Sequence, residues 1–129
     1  MLLIDLRAAL LAAALTGPAL MGPPLALAAD DVVARGQALY EAKCSACHSV
    51  DAHRVGPLHR GVLGRRAGSA PGYDYSPALA ASQLMWTRQN LERWLADPEA
   101  LVPGQRMGFS VQQPADRQAL VAYLASLKL

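Results

Sequence analysis

Only two cysteines, Cys44 and Cys47, occur in these 129 residues. A structural zinc site needs four ligands. There is no second cysteine pair, and His53 and His59 show no repeated ligand spacing, so zinc finds no support. Alternating runs of apolar and polar residues are also missing, and no strand is expected beside residue 44. That disfavours a thioredoxin-like dithiol, which belongs in a βαβ pattern. No close acidic pair suits acid–base catalysis, and no Ser/His/Asp constellation is detectable by spacing. A net charge of +2 is too mild to point to nucleic acid or an anionic membrane as partner. Phe109 is the only phenylalanine, and a chain of about 100 residues has difficulty burying enough apolar surface by itself.

What is present is concentrated in one run, Cys44-Ser45-Ala46-Cys47-His48. Two thiols three residues apart on a helical turn can add across the two vinyl groups of one haem. The histidine that follows can then reach the iron with its imidazole. A covalent haem also answers the shortage of apolar bulk, because it supplies a large flat body around which side chains pack. The chain without haem is therefore expected to fold poorly.

Residues 1–29 resemble an export signal. Arg7 lies in a short leader, Ala8 to Leu15 is an uninterrupted apolar run, and Ala26-Leu27-Ala28-Ala29 offers cleavage after Ala28 or Ala29. Asp5 partly cancels Arg7. A retained anchor is the alternative, since Ala8 to Ala29 carries no charge. Against it, Gly17-Pro18 and Gly22-Pro23-Pro24 break the stretch. Cleavage would remove one charge of each sign and leave one domain, residues 30–129, outside the cytoplasm.

That domain reads as all-α. Asp30 or Asp31 is expected to cap a first helix running to about Cys47, with Val33, Gly36, Gln37 and Tyr40 on one face. Gly36 costs helix stability of about 1 kcal/mol, which close approach of another helix would return. Ser49 to Tyr75 reads as a loop rich in Gly, Pro and Arg, too long to be structureless unless something large anchors it. Ser76 and Pro77 open a short helix to Ser82, and Thr87 caps one over 88–96 carrying Leu91, Trp94 and Leu95. A second loop spans Leu101 to Gln113. Pro114 opens the last helix, with Leu120, Tyr123, Leu124 and Leu127 in its apolar stripe.

An iron held by one histidine has either a sixth ligand or an open site, and the choice separates electron carriers from ligand-binding or catalytic haems. Met85, Met107, His53 and His59 are the candidates. Met107 sits on a loop stiffened by Pro103 and turned by Gly104, while Met85 abuts Trp86 and suits a core position. His53 and His59 read as surface or hydrogen-bonding histidines. Residue types and spacing alone do not decide between the methionines.

Taken together, Gly36…Tyr40…Cys44-x-x-Cys47-His48, Gly56-Pro57, Gly64-Arg65-Arg66-Ala67-Gly68-x-Ala70-Pro71-Gly72-Tyr73-x-Tyr75, Trp86, the Leu95…Pro98 helix end, Pro103-Gly104-x-x-Met107 and Leu120-Val121-Ala122-Tyr123-Leu124 resemble the class I cytochromes c, in the mitochondrial-type branch found in bacteria. The resemblance covers nearly the whole chain after the leader. It implies an all-α fold of three main helices, short helices and long loops wrapped around one covalent haem, held through Cys44 and Cys47. It implies iron ligation by His48 and Met107, and a hydrogen bond from the His48 ring to the Pro57 carbonyl. It also implies that Arg65, Tyr75 and Trp86 hold the propionates, and that Gly36 and Tyr40 pack on Leu120 and Tyr123. Departures are visible too. The loop before Pro57 is about three residues shorter, Leu79 replaces an asparagine and Trp94 a tyrosine. The family's lysine ring is absent: Lys43 and Lys128 are the only lysines, Arg106 precedes Met107, and Glu99 stands where a lysine is expected.

The expected function is that of a monomeric periplasmic one-electron carrier. Its partners would be transient redox proteins: an oxidase, a quinol–cytochrome c reductase or a periplasmic dehydrogenase. No small-molecule substrate is expected. The alternative is a haem enzyme or gas-binding protein, peroxidase-like, with a labile Met107; its distal groups could only be Arg106 and Gln105.

Overall fold

The computed structural model describes residues 25–129. The leader expected over 1–29 therefore lies outside the described residues except for its last five. Those five begin the first helix, α1, which spans Leu25–Lys43. The expected start at Asp30 or Asp31 is corrected. The stretch Leu25 to Ala29 is made of strong helix formers, so the helix continues back through it and neither aspartate sits at a cap. The helix also stops earlier than Cys47, at Lys43, and the haem-attachment run forms the turns that follow it.

Four shorter helices follow. α2 (Pro77–Ala81) starts where Ser76 accepts the Leu79 N–H, and α3 (Arg88–Ala96) where Thr87 accepts that of Asn90. Both starts agree with the caps read from sequence. Asp97 ends α3 and at once caps α4 (Pro98–Leu101) by accepting the Ala100 N–H at 3.0 Å. The sequence does not signal this helix, because Asp97-Pro98 ends α3 and reads as a stop. α5 covers Pro114–Ser126. The only bridge between extended segments among the described residues joins Arg66 and Met85, so the fold is all-α.

α1 and α5 make the main helix–helix contact, and α3 packs on α5 beside it. At the crossing the backbones come so close that a side chain on Gly36 would overlap the Ala119 carbonyl and the Tyr123 Cβ. Tyr40 lies against the Tyr123 ring at 5.3 Å, and Arg35 reaches Asp116 at 2.7 Å. Gln37 does not share the buried face as expected; it is exposed and hydrogen-bonded to Glu41, while Leu39 packs against the core. In α5, Leu120 and Leu124 are buried as the periodicity predicts, and Ala119 and Val121 join them. Those two meet α1 or the remaining core, so the buried arc is wider than one stripe.

The long loop from Ser49 to Tyr75 is held by its own bonds. His53 Nε2 donates to the Pro71 carbonyl (2.8 Å) while its Nδ1 accepts from the Leu58 N–H (3.1 Å). Arg60 grips the Asp51 carboxylate, and the Tyr73 hydroxyl donates to the Val55 carbonyl at 2.5 Å.

Candidate haem site

The loop and the helices enclose a cavity of about 540 Å³. Cys44, Cys47 and His48 reach it from the turn after α1, where the Cys47 and His48 N–H groups both donate to the Cys44 carbonyl. The two thiols are unpaired. Burial pushes the Cys44 thiol up to about 11.

His48 donates its Nδ1–H to the Pro57 carbonyl at 2.8 Å, which leaves Nε2 free as a ligand. Burial lowers its pKa and the Pro57 bond partly opposes that; the net shift is downward, toward the neutral form a metal needs. Gly56 approaches so closely that a Cβ there would overlap the His48 ring. Gly56 is thus required beside the ring for space.

Met107 lines the same cavity from the loop after α4, whereas Met85 is exposed and does not. His53 is occupied in bracing the loop and does not line the cavity either. The Met107 loop is fastened at both ends. The Glu99 carboxylate accepts the Gly104 N–H (2.9 Å) and the Gln105 side-chain amide (3.2 Å), and Gly104 has φ +88°. On the far side the Val111 N–H donates to the Leu95 carbonyl at 2.7 Å, and Arg117 donates to the carbonyls of Val111 and Gln112. Leu79 and Trp94 give the cavity apolar walls.

Arg65, Tyr75 and Trp86 all line the cavity. Arg65 is oriented by bonds to the carbonyls of Arg60 and Leu58. The Tyr75 hydroxyl accepts from the Ala70 N–H (3.2 Å), and burial raises its pKa. Trp86 is buried edge-to-face against Trp94 at 5.3 Å.

His59 is a hydrogen-bonding histidine, one of the two roles expected from the sequence, but it also lines the cavity and stacks on the His48 ring with centroids 4.2 Å apart and planes 22° apart. Its Nδ1 shares a hydrogen bond with the Tyr40 hydroxyl at 3.0 Å. Burial, with repulsion from His48 and Arg65, pushes its pKa down to about 3. Neither spacing nor neighbours in sequence signals this stack.

These residues fit a haem. Two thiols and an imidazole share one turn, a thioether comes from a separate loop, and the walls between are apolar with an arginine and a tyrosine among them. They do not fit zinc, since among the described residues no three His, Cys, Asp or Glu side chains converge.

Comparison with known proteins agrees with the geometry. The family model described as Cytochrome c matches residues 33–128. A cytochrome c2 of Rhodomicrobium vannielii is 38% identical over 117 residues, covering 88% of this chain and 92% of its own. Cytochrome c2 iso-2 of Magnetospirillum fulvum is 46% identical over 87 residues, 65% of this chain and 91% of its own. Among solved structures, cytochrome cH from Methylobacterium extorquens superposes with a TM-score of 0.70 at 41% identity, covering 73% of this chain and 97% of that one.

Proposed function

Since the chain belongs to the cytochrome c family and is an electron carrier with covalent haem c rather than an enzyme, we propose that it works in the periplasm with His48 and Met107 as the two iron ligands. The observation that carries this reading is the placement of a hydrogen-bonded His48 and a loop-held Met107 around one cavity whose turn also presents both cysteines. When bound, the haem supplies the one-electron oxidation and reduction of iron. Everything else falls to the polypeptide.

Cys44 and Cys47 tether the group, and the Pro57 carbonyl keeps the His48 imidazole in the tautomer that offers Nε2. Glu99 and Arg117 hold the Met107 loop in one arrangement, so ligand geometry need not change with oxidation state. Leu79, Trp86 and Trp94 exclude water from the walls. A neutral thioether in such surroundings favours the reduced state and a high potential for a haem. Arg65, Tyr75 and Trp86, which line the same cavity, would hold the propionates and offset the cost of burying them.

Of the distal groups an enzyme would need, Arg106 lies at the exposed rim of the cavity, tied to Asp74, and Gln105 does not line the cavity. Arg106 donates to the Asp74 carbonyl at 3.2 Å, and Gln105 to Glu99. That favours the carrier over a peroxidase-like site. At the mouth of the cavity Val55 and Phe109 are exposed beside Lys43, Asp74 and Arg106. This small mixed surface suits a transient redox partner such as an oxidase, a quinol–cytochrome c reductase or a periplasmic dehydrogenase. The Ala-rich leader supports export, and no described helix is long and apolar enough to cross a membrane.

The test is a spectroscopic redox titration of protein recovered from the periplasmic fraction. A low-spin spectrum in both oxidation states with a reversible one-electron transition is expected; a high-spin ferric spectrum would favour the enzyme instead.

A further inference from the structure

We propose that His59 is a positioning residue for His48: its imidazole, pinned by the Tyr40 hydroxyl, lies against the face of the His48 ring and fixes the plane in which that ring meets the haem iron. The inference rests on the ligand role proposed for His48 and adds a second constraint to it. A hydrogen bond to a carbonyl tolerates a broad range of approach. The Pro57 bond therefore directs the Nδ1–H of His48, and Gly56 packs close against the ring, but neither supplies a flat surface that sets the twist about that direction. A flat partner at 4.2 Å and 22° removes the twist.

The partner is itself immobilised. Its Nδ1 meets the Tyr40 hydroxyl at 3.0 Å, and the Tyr40 ring sits edge-on to it at 5.6 Å. On the backbone, the His59 N–H donates to the Ser49 carbonyl (3.2 Å) and its own carbonyl accepts from Val62 (3.0 Å). Tyr40 is buried at the crossing of α1 and α5, against Tyr123. A chain of contacts thus runs from the most tightly packed helix pair to the ring of the ligand. An aliphatic side chain would fill the same space without a face to stack or a nitrogen for Tyr40, and no ligand role is needed to explain a histidine there.

The experiment uses the holo-protein and the variants His59→Leu, His59→Phe and Tyr40→Phe, with the paramagnetically shifted haem-methyl proton resonances of the ferric state as readout. Their spread reports the orientation of the axial imidazole plane. His59→Leu should redistribute the methyl shifts, His59→Phe, which keeps a flat face, should restore most of the pattern, and Tyr40→Phe should move it less than His59→Leu, in the same direction. The midpoint potential should follow the same order. An unchanged pattern in His59→Leu with only a lower melting temperature would overturn the proposal, as would equal displacement by His59→Leu and His59→Phe. If His59→Leu does not fold, Tyr40→Phe decides alone, and an unmoved pattern there counts against it. A wild-type ferric spectrum that is not low-spin would overturn the His48/Met107 ligand pair on which the inference rests, and is seen before any variant is made.

Discussion

At Glu99 one carboxylate accepts two hydrogen bonds that close the turn before Met107. Glu99 is exposed, so the pair is worth about 1 kcal/mol, roughly a fivefold shift between closed and open loop. Glu99→Ala should let alkali displace Met107 at a lower pH, followed as loss of the thioether-to-iron charge-transfer band; an unchanged midpoint would show that Arg117 and the Val111–Leu95 bond hold the loop without Glu99. Asp51 gives a pH prediction of its own. The bond from Arg60 holds its carboxyl below the usual carboxylate range, so its stabilisation is fully present above the unfolded pKa of about 4 and is lost as pH falls through the lower folded value. Asp51→Asn should melt slightly below wild type at neutral pH and low salt, and the two curves should converge in acid and in high salt. Cys44, Cys47 and His48 were legible in the sequence because attachment chemistry demands contiguous residues. Arg65, Tyr75 and Trp86 became candidates only through resemblance. The Glu99 clamp and the His59 stack were not legible, because each depends on how a loop folds back on itself.

Among the helices, Gly36 carries the sharpest expectation. Alanine would ordinarily stabilise a helix interior by about 1 kcal/mol, but here its methyl group overlaps the Ala119 carbonyl, a backbone atom with no rotamer to retreat to. Gly36→Ala should therefore destabilise, by about 1–3 kcal/mol, and thermal denaturation of the holo-protein would show a rise in melting temperature if the crossing were looser than described. Helix starts were readable at Ser76-Pro77, Thr87 and Pro114 because local chemistry fixes them. The start of α1 was not, since the aspartates at 30 and 31 looked like caps while the alanines before them propagate the helix just as well. α4 was hidden because Asp97 serves two helices at once.

For the whole molecule the cavity decides the energetics. The cavity opens to solvent at a mouth where Val55 and Phe109 are exposed, so without the haem its apolar lining would face water instead of a packed partner, at about 25 cal/mol per Å² of apolar surface. Tyr40, Leu79, Leu91 and Leu120 all line it. The double variant Cys44→Ala, Cys47→Ala, grown without haem, should lose most of its far-UV helical signal, and native helicity would show that the polypeptide core suffices. The claim beneath all of this is that one imidazole and one thioether hold the iron. It is tested most directly by the ferric absorption spectrum and midpoint potential of Met107→Ala beside Met85→Ala: the first should lose the far-red thioether band and fall in potential while the second keeps both, and a Met107→Ala protein with band and potential intact would contradict the assignment.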